Sequence, residues 1–351
     1  MAQSPVLLIR ADSSERMGTG HVMRCLALAQ AWQDAGYHVV FALASCSAGI
    51  AERLRAENID VLHLACAPAS PQDALATVDA ARSVGSDWIV LDGYHFDAAY
   101  QAAISRGGWK LLVIDDFGAL ENYTADIIVN QDTIADERLY ARRAAHSRLL
   151  LGTDYTFLRR EFRGQPRPER KVATVARRLL LAFGGSDPGR LTEMALSALD
   201  CAVNDGLEAV VLIGPSNPRW EQLQAATASR SNIRLLRNPP DIPHWMAWCD
   251  IAVTAAGGTL WELAYCRVPS IVVLTSEEQS PATDFLQRRE ACQSLGMGNR
   301  LSAGQMAAAI VSLCGDPQRR SYLAANLAAM VDGLGADRVL AVMQAAGVDG
   351  Q

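Results

Sequence analysis

No stretch of this sequence stays apolar for the roughly 18 residues needed to cross a membrane. Its N-terminal residues also lack the cationic, then apolar, then small-residue order of a secretory signal. A cytoplasmic protein is therefore expected, with no membrane as partner. A basic stripe is missing too: 32 Lys and Arg stand against 38 Asp and Glu, a formal net charge of −6. Nucleic acid is thus not an expected partner, although local groups on an acidic protein can still hold an anion. The eight cysteines include no Cys-x-x-Cys pair and are irregularly spaced. Free, mostly buried thiols in a reducing compartment are expected, not a disulfide framework. Tandem repeats and low-complexity tracts are absent. What is present is 351 residues, half of them hydrophobic, enough for two medium domains with a core each.

Two series of alternating strand and helix patterns divide the chain. In the first, the short apolar runs PVLLIRAD (5–12), YHVVFALA, IDVLHLA, DWIVLD and KLLVID read as strands buried on both faces, with ADIIVNQ as a sixth. Helical spacing covers 20–35, about 49–57, 71–84 and 97–106. The pattern lapses near 152–176, where RREFRGQPRPERK is charged and carries two prolines. Arg159, Arg160, Arg163 and Arg167 there read as a solvated linker. The second series follows: strands RRLLLAF (177–183), EAVVLI, NIRLL, DIAVTA and PSIVVL, with helices between them and several more to the end. Strand–helix alternation of this kind predicts an α/β protein with parallel sheets. The expected domains are 1–155, a linker 156–176, a second domain 177–335, and a C-terminal helix within 336–351 packing back on the first domain.

Ligands of open α/β sheets bind at the carboxyl ends of strands. The first strand ends in Arg10 and Asp12, then Gly18-Thr19-Gly20-His21. Glycines there permit a tight turn and close approach, and the following helix offers free N–H groups. A dinucleotide fingerprint needs a third glycine, and Met23 stands in its place, so NAD is disfavoured and no cofactor is expected. His21 falls at the first helical position, where the dipole disfavours an imidazolium and favours a neutral base. Arg24 follows on the same side of the helix. The fourth strand ends in LDGYHFD, offering Asp92, Tyr94, His95 and Asp97, and the fifth in Asp115 and Asp116. Their spacing fits no metal cage, and helix caps are the simpler reading. Asn130 and Gln131 are further polar candidates.

In the second half FGGSDPG places Gly184, Gly185 and Ser186 between a strand and a helix, a phosphate cradle or a turn capped by Ser186 or Asp187. IGPSNP repeats the theme with Gly214. TAAGGTLWELAYC sets Gly257 and Gly258 before a helix, with Thr259 as a capping candidate and Glu262 placed to accept from a ribose diol. VLTSEEQ adds Glu277 and Gln279.

Taken together, two Rossmann-like domains, a GxGH turn and a GG[ST]xxE helix resemble the GT-B fold of nucleotide-sugar enzymes, in which the two parallel-sheet domains face a central cleft. RADSSERMGTGHVMRCLALA, LDGY, IDD, FGGSDP, AGGTLWE and EEQ are similar, in order, to the PseG family, over residues from about 7 to about 300. That family hydrolyses UDP-2,4-diacetamido-2,4,6-trideoxy-β-L-altropyranose in pseudaminic acid biosynthesis, which supplies a nonulosonic acid for flagellin or surface-glycan glycosylation. Two positions depart from its pattern: Gly257-Gly258-Thr259 stands for AGS[ST], and Glu278 replaces the Asn of ENQ. The resemblance implies that His21 is the general base activating water, and that Tyr94 orients the sugar. It further implies that Gly185, Ser186, Gly258 and Thr259 hold the diphosphate, Glu262 the ribose, and Gln279 the sugar or phosphate. It implies an inverting, metal-free UDP-sugar hydrolase. A monomer is expected. The alternatives are a GT-B glycosyltransferase passing the sugar to an acceptor hydroxyl, and a non-catalytic nucleotide-sugar-binding protein.

Overall fold

The computed structural model describes residues 4–15, 17–164, 166–201 and 206–348. Arg16 of the glycine turn, Gln165 of the expected linker and residues 349–351 of the expected final segment lie outside the described residues. The chain divides into two compact units, Met1–Arg160 with Gly333–Gln351, and Glu161–Asp332.

The first unit begins with β1 (Val6–Ala11), α1 (Gly20–Asp34), β2 (His38–Leu43), α2 (Ala48–Ala56), β3 (Asp60–His63) and α3 (Pro71–Val84). It continues with β4 (Trp88–Asp92), α4 (Ala98–Arg106), β5 (Lys110–Ile114), β6 (Ile127–Asn130) and β7 (Arg148–Leu151). Local signals set these bounds. Ser70 accepts from the Asp73 N–H at 3.2 Å, Pro71 opens α3, and Gly85 ends it at φ 63°. Asp97 caps α4 by accepting from the Tyr100 N–H at 2.8 Å. All six residues of β1 are buried, as a strand covered on both faces requires. The seven strands pair in the order β3-β2-β1-β4-β5-β6-β7, all parallel. The order reverses between β1 and β4, which makes their carboxyl ends the topological switch point, the place where open sheets take ligands.

A four-residue helix, α5 (Arg160–Arg163), stands where the chain passes to the second unit. The stretch expected as a solvated linker is tied down. Arg160 bonds Asp34 at 2.9 Å, and Arg167 donates to the carbonyls of Tyr265 and Ala264 at 2.9 and 3.2 Å.

The second unit runs through β8 (Arg178–Ala182), α6 (Leu191–Cys201), β9 (Glu208–Ile213), α7 (Trp220–Thr227), β10 (Ile233–Arg237), α8 (Ile242–Trp248) and β11 (Ile251–Ala255). It then adds α9 (Gly258–Tyr265), β12 (Ser270–Leu274), α10 (Ser280–Arg288), β13 (Gln293–Met297), α11 (Ala303–Gly315) and α12 (Pro317–Ala328). Its strand order is β10-β9-β8-β11-β12-β13, again all parallel, and reverses between β8 and β11.

The last helix, α13 (Gly335–Val348), belongs to the first unit. Ala336, Val339 and Met343 join Leu26 and Trp32 of α1 in the core under the sheet. Burial of each larger side chain is worth roughly 1.5–3 kcal/mol. Gly335 permits the docking, since a Cβ there would lie 2.2 Å from the Thr156 carbonyl oxygen. Sequence periodicity predicts neither β7 nor β13. The eight cysteines are all free, with Cys25, Cys249, Cys266, Cys292 and Cys314 buried.

Candidate functional site

At the first switch point the chain leaves β1, turns through Gly18 at φ 80°, and enters α1. Gly18 is required by that left-handed backbone; a Cβ on Gly20 would meet open space. The helix has no side-chain cap and no acid in its first turn. His21, 8% exposed, instead sets its Nδ1 2.7 Å from Oδ1 of Asp92, the last residue of β4. Burial alone would raise the Asp92 carboxyl, but Arg24 and His21 hold it well below the usual carboxylate range. An ionised carboxylate only accepts, so Nδ1 carries the proton. A neutral imidazole in this tautomer has its lone pair on Nε2, and no side chain or backbone group among the described residues bonds that atom.

The chain of contacts continues outward. Arg24 grips Asp92 with Nε at 2.6 Å and Nη2 at 2.7 Å, and both Asp116 oxygens with Nη1 at 2.8 Å. The Tyr94 hydroxyl donates to Asp116 at 2.7 Å. Desolvation of that hydroxyl and the Asp116 carboxylate push the phenol above its ordinary value, so it stays a donor. The Tyr94 ring is 61% exposed and meets His21 edge-on at 4.7 Å, with Phe117 at 5.0 Å on another side. His21, Arg24 and Tyr94 are thus brought together.

Arg10 and Asp12 differ from expectation. Both are wholly inaccessible. The Arg10 guanidinium bonds Asp73 of α3 at 2.9 and 2.6 Å and Asp12 at 2.7 Å, so its donors are taken up inside the unit rather than offered to a ligand. Burial alone would raise the Asp12 carboxyl, but His95, Arg10 and the Ser45 N–H hold it at about 2. Tyr100 donates to Asp73 at 3.0 Å. His95 Nε2 stands 3.2 Å from Asp12. The other polar candidates are structural: Asp115 accepts from the Phe117 and Gly118 N–H groups, Asn130 reaches the Asp116 carbonyl, and Gln131 accepts from the Phe157 N–H.

The second switch point is made of backbone. Gly184 turns at φ 81°, followed by Gly185 and the buried Ser186. Asp187, rather than Ser186, caps α6, accepting from Leu191 and Thr192 N–H at 2.8 and 3.0 Å. Gly214, expected to touch substrate, serves packing: a Cβ there would lie 2.3 Å from the Gly185 Cα. Gly257 is the N-cap of α9 in extended conformation, and Cβ atoms on Gly257 or Gly258 would meet nothing within 4 Å. Thr259 does not cap; it is the second helical residue, and the helix has no side-chain cap. The first N–H groups of α9 therefore point from an uncapped terminus, which suits an anion. Glu262 is half-buried one turn on. Gln279, expected to contact ligand, has its amide engaged: Nε2 donates to the Ala256 carbonyl at 2.6 Å, and Oε1 accepts from the Thr275 N–H at 2.8 Å. It stitches the loops after β11 and β12 together. Glu277 pairs with Arg300 at 2.9 Å on the surface.

Asp73 and Tyr100, which complete the buried network, carry no sequence signal beyond a capping position and a helical apolar one. Among the described residues no group of three His, Cys, Asp or Glu is placed to hold a metal, and no helix is long and apolar enough to cross a membrane.

Residues 179–290 match the glycosyltransferase family 28 C-terminal domain. The chain is 24% identical over 285 residues to an uncharacterized protein of Methanocaldococcus jannaschii, covering 79% of this chain and 57% of that one. It thus spans little more than half the length of that relative. It is 22% identical over 285 residues to the UDP-2,4-diacetamido-2,4,6-trideoxy-beta-L-altropyranose hydrolase of Campylobacter jejuni, covering 81% of this chain and 96% of that one. Among solved structures it superposes on Anabaena HepE in complex with UDP-glucose with a TM-score of 0.63 at 15% identity, over 97% of this chain and 99% of that one. Two parallel-sheet Rossmann-like units and this likeness give the chain the GT-B fold.

Proposed function

We propose that the protein is an inverting hydrolase that releases UDP from a UDP-2,4-diacetamido-2,4,6-trideoxyhexose, of the β-L-altropyranose series, as a step of pseudaminic acid biosynthesis. One observation carries the reading: His21 is seated on Asp92 through Nδ1, with Nε2 open beside Tyr94. An imidazole fixed in that tautomer is arranged to take a proton from water. Water attacks the anomeric carbon from the face opposite UDP, its proton passes to Nε2, and the glycosidic C–O bond breaks with its electron pair leaving on UDP. Asp92 and Arg24 position the base. Tyr94 orients the sugar. The N–H groups around Gly185 and at the start of α9 take the charge that grows on the diphosphate, and Glu262 accepts from the ribose. The Campylobacter relative's description and the nucleotide held by the Anabaena protein support a UDP-sugar as the substrate.

The test is NMR of the reaction with a panel of UDP-diacetamido-trideoxyhexoses in ¹⁸O-labelled water. The reading expects free sugar with inverted configuration and the label on its anomeric oxygen. Replacement of His21 by Asn should lower kcat by roughly 10²–10⁴-fold while UDP still binds; unchanged turnover in the folded variant removes His21 as base.

The family 28 match favours a second reading, a glycosyltransferase using the same UDP-sugar. Incubation with UDP-sugar alone separates the two: rapid release of UDP and sugar supports the hydrolase, and turnover only with an acceptor supports the transferase.

A further inference from the structure

The first unit contains the same five-part chain twice. One is His21–Asp92–Arg24–Asp116–Tyr94. The other is His95–Asp12–Arg10–Asp73–Tyr100. In each, an imidazole rests on a carboxylate, an arginine bridges that carboxylate to a second, and a tyrosine hydroxyl closes the far end. The two are interleaved at one switch point. His21 follows β1 and pairs with Asp92 of β4, while His95 follows β4 and pairs with Asp12 after β1. Asp92 is in register with Ala11, the neighbour of Asp12.

They differ in which part is accessible. Arg10, Asp12 and Asp73 are wholly buried and Tyr100 nearly so, whereas the His95 side chain is 21% exposed. Its seat is built. Asp12 takes Nε2, and Phe96 lies against the ring at 4.1 Å. Gly93 leaves the space, since a Cβ there would fall 2.6 Å from the imidazole Cε1. The ionised Asp12 only accepts, so Nε2 carries a proton, and in the neutral form of the ring the lone pair lies on Nδ1. Nothing among the described residues bonds that atom. Its sequence neighbour Tyr94 touches His21.

We propose that His95 is a specificity-determining residue that accepts, through Nδ1, a hydrogen bond from a hydroxyl or acetamido N–H of the sugar bound at His21. This rests on the reading of His21 as the reacting centre. Arg10, Asp12, Asp73 and Tyr100 are positioning residues for it.

The experiment measures kcat, KM and the inhibition constant of UDP for His95→Ala, His95→Gln and Gly93→Ala with the UDP-diacetamido-trideoxyhexose. His95→Ala and Gly93→Ala should raise KM about tenfold, the size of one lost hydrogen bond of roughly 1.4 kcal/mol. In both, kcat should fall by less than KM rises, and UDP inhibition should hold. His95→Gln should restore KM, because its Nε2 can donate to Asp12 while Oε1 accepts where Nδ1 did. An unchanged KM in His95→Ala overturns the proposal. So does a UDP constant that moves in step with KM, which marks general damage, or a Gln variant as poor as Ala. Failure of the wild-type protein to turn over any UDP-sugar instead overturns the reading of His21. Repeating the assay with the 4-hydroxy analogue separates the donors: an Ala effect confined to the diacetamido sugar assigns the C4 amide, and an equal effect assigns another donor.

Discussion

Where β1 and β4 part, the first sheet presents His21, Asp92, Arg24, Asp116 and Tyr94, side chains that bond one another. Where β8 and β11 part, the second sheet presents Gly184, Gly185, Gly257 and Gly258, with a helix start beside them. The same topology thus carries two materials. A base needs a side chain whose proton is placed by its neighbours, which calls for a network. A diphosphate needs several weak donors at close range, which backbone supplies best when side chains are absent.

Asp92→Asn tests the first material most severely. Its amide can donate to Nδ1, turning the imidazole proton toward Nε2 and disabling the base, so kcat should drop roughly 10²–10⁴-fold. UDP affinity should not change, and adding His21→Asn should lower kcat little further, as measured by steady-state kinetics and calorimetry. A fully additive double mutant would separate the two residues. Gly214→Ala tests the second material through its packing. The new methyl strikes Gly185, and overpacking should cost roughly 1–3 kcal/mol in the urea midpoint, together with UDP affinity.

Acid should separate the two edges. Asp12 is held at about 2 against an ordinary 3.8, so its contribution is complete above about pH 4 and is lost as pH falls toward about 2. Linkage puts it at about 2 kcal/mol. Asp187 at the second edge is shifted upward by burial, so acid favours the folded form there. Hydrogen exchange on acidification should show the segments around β1 and α3 opening before that around α6, which Asp187 caps; simultaneous opening breaks the distinction. The smallest effect expected is that of Gly258→Ala. The methyl enters open space, so stability should stay within about 0.5 kcal/mol. UDP affinity should nevertheless fall about tenfold, about 1.4 kcal/mol, because that space is where a phosphate would lie. Unaltered affinity would move the phosphate elsewhere.

Much of this layout is legible in the chain. Apolar runs such as VLLIRA mark central strands because both faces are covered, and glycines after strands mark both switch points. β7 and β13 are not legible. Each is a short edge strand, and QSLGM of β13 is only partly buried and contains glycine, so neither period nor composition reveals it. The polar partners are not legible either. Arg10 pairs with Asp73, 63 residues away, and nothing in the local sequence distinguishes that aspartate from any helix-capping acid. Gln279 looks like a ligand contact because it lies in the loop that follows a strand, yet its amide closes that loop. A strand-end position shows that a side chain is near the site; whether it is engaged by the protein itself is decided by tertiary structure.

The return of α13 to the first unit also bears on biosynthesis. The sheet and α1 of that unit are synthesised before the second unit, but Ala336, Val339 and Met343, which complete its core, are synthesised after it. The second unit is contiguous in sequence and can collapse while the first waits. Throughout that interval α1 lacks its packing against α13, and a nascent chain with part of its core incomplete is open to holdase chaperones or to aggregation.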